Sequence, residues 1–175
     1  MKEYLKSFGI LTEGEIDSFE QLLVTKKIKK GEFFIQEGKI SQEVAFIASG
    51  FFRSYYYNSN EEEVTYCFTF SNSFITAYSS FLSQTATSEN IQALTDVELY
   101  SISRDKILQL EQSSTNWLKF FKLIAEQEYI NLEKRIFMLQ TESAEKRYED
   151  LLTNHPQLLQ LIPLHYLSSY LGITP

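Results

Sequence analysis

The sequence of 175 residues holds a single cysteine, Cys67, and two histidines, His155 and His165. One thiol excludes a disulfide framework within the chain, and it excludes a four-cysteine zinc or iron–sulfur site as well. Both histidines lie near the C-terminal end, far from the strand-rich part of the sequence. The several-His metal centre of a cupin-type barrel therefore cannot be assembled, and a haem or redox sensor is disfavoured for the same reason. There is no Gly-rich phosphate loop and no Ser/His/Asp set within the strands, so no residue points to catalysis. No stretch approaches 18 apolar residues, and no apolar run follows a basic start. The sequence reads as a soluble, cytoplasmic protein without a membrane partner. With 23 acidic residues against 16 basic ones, its net charge of −7 argues against a general nucleic-acid coat. A local basic face remains compatible with that charge.

What is abundant is aromatic. Phe and Tyr together supply 25 residues, 14 and 11 respectively, and most precede residue 100, as expected of strands around an aromatic core. The longest uninterrupted element comes later. Asn116 to Gln140 contains no Gly or Pro and follows Ser113, Ser114 and Thr115, which offer N-cap oxygens. On this predicted helix, Leu118, Ala125, Tyr129, Leu132, Ile136 and Leu139 form an a/d seam broken only at Lys122. A second stripe, Leu123, Ile130 and Phe137, repeats every seven residues, about 100° or more around the helix from the first. Two seams imply two neighbours: a partner helix on the first and the chain's own body on the second. Burial of the helix in one monomeric core is the alternative.

Along the chain, Met1 to Phe8 predicts a short helix, and Thr12 with Glu15 makes a capping box for a second. Lys26, Lys27, Lys29 and Lys30 mark an exposed edge strand and turn. From Gly31 to Ser103, seven or eight short strands are separated by turn residues, a jelly-roll pattern. Among them Val64, Tyr66, Phe68 and Phe70 alternate with Thr65, Cys67 and Thr69. Cys67 reads as a small core-facing or pocket residue, with a lone thiol sensor as the lesser reading. The stretch after Phe74-Ile75 reads as a polar loop, Ser103 as the cap of a short helix, and Ser143 to Leu152 as an amphipathic turn or two. The last segment, IPLHYLSSYLGITP, places Pro163 at a helix start and Gly172 at its C-cap, with Leu164, Leu167 and Leu171 on one face.

With Gly31, Gly38 and Gly50 set in GEFFIQEG and FIASG, the strand-rich part resembles a cyclic-nucleotide-binding barrel. Together with the long helix and the terminal helix–Gly–Ile–Thr, the whole chain resembles the Crp–Fnr family of bacterial transcription regulators. The resemblance implies a ligand-sensing barrel, a two-fold dimer through the long helix, and a helix-turn-helix that reads DNA. It also implies a pocket in which a Gly-Glu-Leu holds the ribose and a later Arg-Ser-Ala neutralises the cyclic phosphate. The corresponding cassette here is Ser73 to Leu94. Ala77 falls near the Glu position and Thr87 near the Arg position, followed by Ser88 and Glu89. A buried phosphate needs a cation or converging N–H donors. The cassette has neither Lys nor Arg, and Glu89 would repel the anion, so cyclic AMP and cyclic GMP are not expected as ligands.

The expected fold is α+β: an N-terminal helix, a jelly-roll barrel, a long dimerisation helix and a partial helical DNA-binding unit. The corresponding divisions are 1–112, 113–141 and 142–175. The expected function is ligand-responsive transcription regulation by a homodimer, without a cofactor. Candidate residues for an unidentified small-molecule effector are Arg53, Ala77, Tyr78, Ser79, Ser80, Thr87 and Ser88. Arg53 is expected to face solvent, or else to stand in for the missing Arg. The alternative is a cassette filled by Phe74, Tyr78 and Phe81. Gly172 would mark the turn and Thr174 the start of the recognition helix. That helix is expected beyond Pro175, leaving the Leu164, Leu167 and Leu171 face unpartnered here, and it carries the expectation of DNA as partner. Without it, the reading is a sensor or protein-interaction module.

Overall fold

The computed structural model describes residues 1–154 and 156–173, Gln157 by its backbone only. Two short helices lead the chain, α1 (Lys2–Ser7) and α2 (Glu13–Leu22). At the start of α2 the Thr12 hydroxyl accepts from the Glu15 N–H at 3.3 Å, and the Glu15 carboxylate accepts from the Thr12 N–H at 2.8 Å. This is the reciprocal capping box that the sequence predicts.

Eight strands follow: β1 (Val24–Ile28), β2 (Phe33–Ile35), β3 (Glu43–Ser49), β4 (Phe51–Tyr57), β5 (Glu63–Phe70), β6 (Phe74–Ile75), β7 (Asn90–Ala93) and β8 (Val97–Ser103). They pair into two antiparallel four-stranded sheets, ordered β1-β8-β3-β6 and β2-β7-β4-β5. Ala45, Ile47, Phe52, Ile91, Ala93 and Leu99 fill the space between the sheets. Gly50 makes the turn from β3 to β4 with φ +83°, and a Cβ there would sit 2.5 Å from the Asp96 carbonyl. Glycine is required on both counts.

The β4–β5 ladder shifts register between Ser54 and Tyr55: Cys67 faces Ser54 and Thr65 faces Tyr55, so Tyr66 is the extra residue of a bulge. The simple alternation expected of Val64 to Phe70 breaks there. Thr65, rather than Val64 or Tyr66, shares a face with Phe68 and Phe70. The polar loop expected after Ile75 contains a helix, α3 (Tyr78–Ser83), ended by Gln84 in the left-handed region. Its six residues are too few to show an amphipathic period in the sequence.

After β8 come α4 (Arg104–Ser113), α5 (Thr115–Thr141), α6 (Ala144–Asn154), α7 (Pro156–Leu161) and α8 (Leu164–Leu171). Ser103 precedes α4 in the cap position without a side-chain hydrogen bond, whereas the Ser114 hydroxyl accepts from the Asn116 N–H to cap α5. The first turns of α5 bury Trp117 and Phe120 against Leu5, Ile16, Phe19 and Ile107. On the other side of the barrel, Leu151, Leu158, Ile162, Leu167 and Leu171 close over Phe51. Leu167 and Leu171 are therefore buried, contrary to the unpartnered face expected of them, and only Leu164 is exposed.

The long helix also departs from its expected environment. Leu118, Tyr129, Leu132, Ile136 and Leu139 are exposed, Tyr129 by 67%, with Ala125 half-buried. The second stripe, Leu123, Ile130 and Phe137, is exposed too instead of lying on the chain's own body. The body is met by a third face, through Trp117, Phe120, Phe121 and Ile124. That face turns polar beyond Ile124, continuing as Glu128, Asn131 and Arg135, so an apolar repeat could not reveal it.

Candidate functional site

The bulge on β5 and the loop between α3 and β7 enclose an open cleft of about 270 Å³. Its walls include Tyr66, Ser79, Ser80, Thr87, Ser88 and Glu89. The loop is held in place by its own backbone. Gly38 N–H donates to the Thr87 carbonyl, and Thr87 N–H donates to the Lys39 carbonyl, both at 2.8 Å. The Thr87 hydroxyl accepts from the Glu89 N–H at 3.1 Å. The Ser80 hydroxyl accepts from the Ser41 N–H at 3.0 Å and donates to the Thr85 carbonyl. Two of the cleft's hydroxyls are thus engaged in holding its shape, while Ser79 and Ser88 are exposed.

Glu89 is the charged group of the lining. It accepts a hydrogen bond from the Tyr66 hydroxyl. Desolvation pushes its carboxyl up from the ordinary range, and the Tyr66 hydrogen bond offsets part of that rise. Burial pushes the Tyr66 phenol up, and the neighbouring carboxylate adds to the effect. Tyr66 stayed outside the predicted set because the bulge that turns it toward Glu89 has no mark in the sequence.

Of the predicted pocket residues, the cleft brings together Ser79, Ser80, Thr87 and Ser88. Ala77 is fully buried in the core between the sheets, and Tyr78 is exposed on α3. Arg53 does not line the cleft, and it does not face solvent. Its side chain is 1% exposed, donating to the Thr65 hydroxyl at 2.7 Å and to Glu63 at 2.6 Å. Its guanidinium lies 3.7 Å from the Tyr166 ring centroid and 4.2 Å from that of Tyr55. The outer face of β4 is covered by α8, which a strand-by-strand reading takes for solvent. Phe81 fills the helical core beside Trp117, not the cleft. The Cys67 thiol is pushed up by burial, which works against thiolate chemistry.

Residues 25–114 match the family model described as cyclic nucleotide-binding domain. The chain belongs to this family. The matched span runs from β1 to the start of α5, and the remaining helices are related to known proteins by structure. A Crp/Fnr-family protein from Eubacterium rectale superposes with a TM-score of 0.78 at 16% identity, covering 98% of this chain and 82% of its own. FixK2 from Bradyrhizobium japonicum gives 0.74 at 15% identity, with 87% and 78% covered. The Thermus thermophilus catabolite activator protein gives 0.65 at 19% identity, with 94% and 78% covered. No curated protein matches the sequence.

At the C-terminal end, Gly172 adopts φ +64° as the C-cap of α8, and the Ile173 N–H reaches back to the Ser168 carbonyl at 2.9 Å. Thr174 lies outside the described residues. Helix α8 rests on β5: Thr65 N–H donates to the Ser169 hydroxyl at 2.9 Å, and that hydroxyl donates to the Glu63 carbonyl at 3.0 Å. Arg147 is buried and donates to the carbonyls of Leu171 and Glu142 at 2.7 and 2.6 Å, tying α6 to the end of α8.

Proposed function

We propose that the protein is a ligand-responsive transcription regulator of the Crp–Fnr type that acts as a cytoplasmic homodimer. The units are a sensory barrel (1–112), a dimerisation helix (113–141) and the start of a helix-turn-helix (142–175). The observation that carries the reading is the seam Leu118, Ala125, Tyr129, Leu132, Ile136 and Leu139. It is largely exposed along a 27-residue helix between the barrel and the terminal helices. An apolar stripe of that length, unmet by its own chain, suits a second copy of the same helix. The related proteins include one named as an activator and one named as a Crp/Fnr-family transcriptional regulator, which supports the same role. No described helix is long and apolar enough to cross a membrane.

The effector site is the cleft at Tyr66 and Glu89. Its lining supports a ligand other than cyclic AMP or cyclic GMP, because no Lys or Arg is available there to neutralise a cyclic phosphate. Ligand binding shifts the helix pair between two arrangements and so changes the presentation of α8. The test has two stages. Sedimentation at micromolar concentration must give a dimer; a monomer would sink the dimeric reading. Selection from random DNA duplexes with the natural gene product must then enrich a two-fold symmetric site. A second reading, a sensor or protein-docking module without DNA binding, is favoured by the net charge of −7 and by the docking of α8 on the barrel. A dimer that enriches no DNA site would select it.

A further inference from the structure

The cleft has the opposite charge character from a phosphate site. Glu89 is half-buried, and its one hydrogen-bond partner among the described residues is the Tyr66 hydroxyl on Oε2. Its other carboxylate oxygen has no donor among the described residues. No Lys or Arg lines the cleft. The nearest strand cation is engaged elsewhere: Arg53 is paired with Glu63. Arg135 reaches Tyr66 only at the backbone carbonyl, at 3.1 Å. The raised carboxyl of Glu89 is what a partly desolvated acid without a counter-ion shows.

Three ligand classes can be set against this lining. An anion meets a carboxylate and no compensating cation, so it is repelled as it is desolvated. A divalent metal needs several hard oxygen donors carrying more than one negative charge, whereas Glu89 stands alone among hydroxyls. An ammonium or guanidinium group brings both the charge and the donors that the site lacks. It can donate to the free Glu89 oxygen and to the exposed hydroxyls of Ser79, Thr85 and Ser88. The volume of about 270 Å³ suits a small ligand.

We propose that the cleft binds a small organic cation, with Glu89 as its counter-ion and Tyr66 holding the carboxylate in place. This rests on the reading of the cleft as the effector site, and it adds the chemical class of the effector.

The test is calorimetric titration of the full chain with agmatine, putrescine and phenethylamine, with cyclic AMP as the anionic comparator. At least one amine is expected to bind with a Kd below about 10 mM, and cyclic AMP more weakly than that amine. Glu89→Gln, nearly isosteric and checked by an unchanged melting temperature, is expected to weaken the amine at least tenfold. Tyr66→Phe is expected to weaken it severalfold. Carbon-13 NMR should show the Glu89 carboxyl titrating at lower pH when the amine is saturating. If no amine reaches that affinity, if Glu89→Gln binds equally well, or if cyclic AMP binds tighter than every amine, the proposal is overturned. These readouts use neither DNA nor the dimer. An amine site on a monomer that ignores DNA would overturn the regulator alone, and a DNA-binding dimer without amine affinity would overturn this inference alone.

Discussion

Arg135 on the long helix donates from Nε to the Tyr66 carbonyl at 3.1 Å and from Nη2 to the Tyr170 carbonyl. Its guanidinium lies 3.7 Å from the Tyr170 ring centroid. One side chain thus joins the strand residue that walls the cleft to the last described helix, α8. Its Nη1 has no partner among the described residues. A buried donor left unpaired carries a desolvation cost, which offsets part of what the other two hydrogen bonds of Arg135 contribute.

Arg135→Met keeps the length of the side chain and removes these hydrogen bonds. Bonds to a charged donor contribute about 1.5–3 kcal/mol each. We expect amide exchange at Ser169, Tyr170 and Leu171 to accelerate at least tenfold, while the barrel strands keep their protection. Unchanged exchange at α8 would remove Arg135 from the coupling.

Arg53 makes a separate prediction. It is fully buried and paired with Glu63, whose side chain is 39% exposed. Removing the buried member also empties the stack on Tyr55 and Tyr166, and Arg53→Ala should cost about 3 kcal/mol in urea unfolding. Glu63→Gln keeps a neutral acceptor near the rim and should cost about 1 kcal/mol or less. Equal losses from the two variants would contradict this asymmetry.

The N-terminal helices are tied to α5 by Glu15. Desolvation raises its carboxyl, but hydrogen bonds from Ser114, the Thr12 backbone, Asn116 and the Thr12 hydroxyl outweigh it and bring it down from 4.5 to about 2. A depressed acid stabilises the fold above its unfolded value and loses that contribution as protons bind. Wild type should therefore exceed Glu15→Gln in stability by about 1–2 kcal/mol at pH 7. The gap should close as pH falls from 4.5 to about 2. A gap that is constant across that window would show that the charge of Glu15 is immaterial.

Leu132 and Ile136 are exposed on the long helix. Leu132→Lys should convert the proposed dimer to a monomer by sedimentation while the circular dichroism spectrum is retained, because Leu132 lies outside the chain's buried core. Phe137→Lys tests the second stripe in the same way. If only Leu132 matters, the partner helix covers one stripe; if both matter, the partner's body reaches the other.

The repetition of apolar residues made both stripes of α5 visible in the sequence, and Thr12 and Glu15 announced the second helix by their chemistry. The strands were legible for the same reason, since Gly50 and the Asn58-Ser59-Asn60 turn punctuate them. The position of the cleft was legible only in part. Ser79, Ser80, Thr87 and Ser88 followed from the cassette, but Tyr66 depends on a bulge, a feature of pairing between two strands. Arg53 was misplaced for a related reason, because its cover comes from Tyr166, more than a hundred residues away in the chain. Local patterns specify local structure, and a long-range contact leaves its mark at neither end.

Strand β5 is the last strand of its sheet, and the groups it turns outward include the Glu63 carbonyl, the Thr65 N–H and the Tyr66 carbonyl. The Ser169 hydroxyl and the Arg135 guanidinium cap all three. An uncapped sheet edge is a template for the strand of another molecule. The docking of α8 is therefore also a guard against aggregation, and any motion that lifts α8 off the barrel uncovers the edge at Glu63 and Thr65. In the proposed regulator the same contact would serve twice, holding α8 in place and keeping the rim of the barrel closed to other chains.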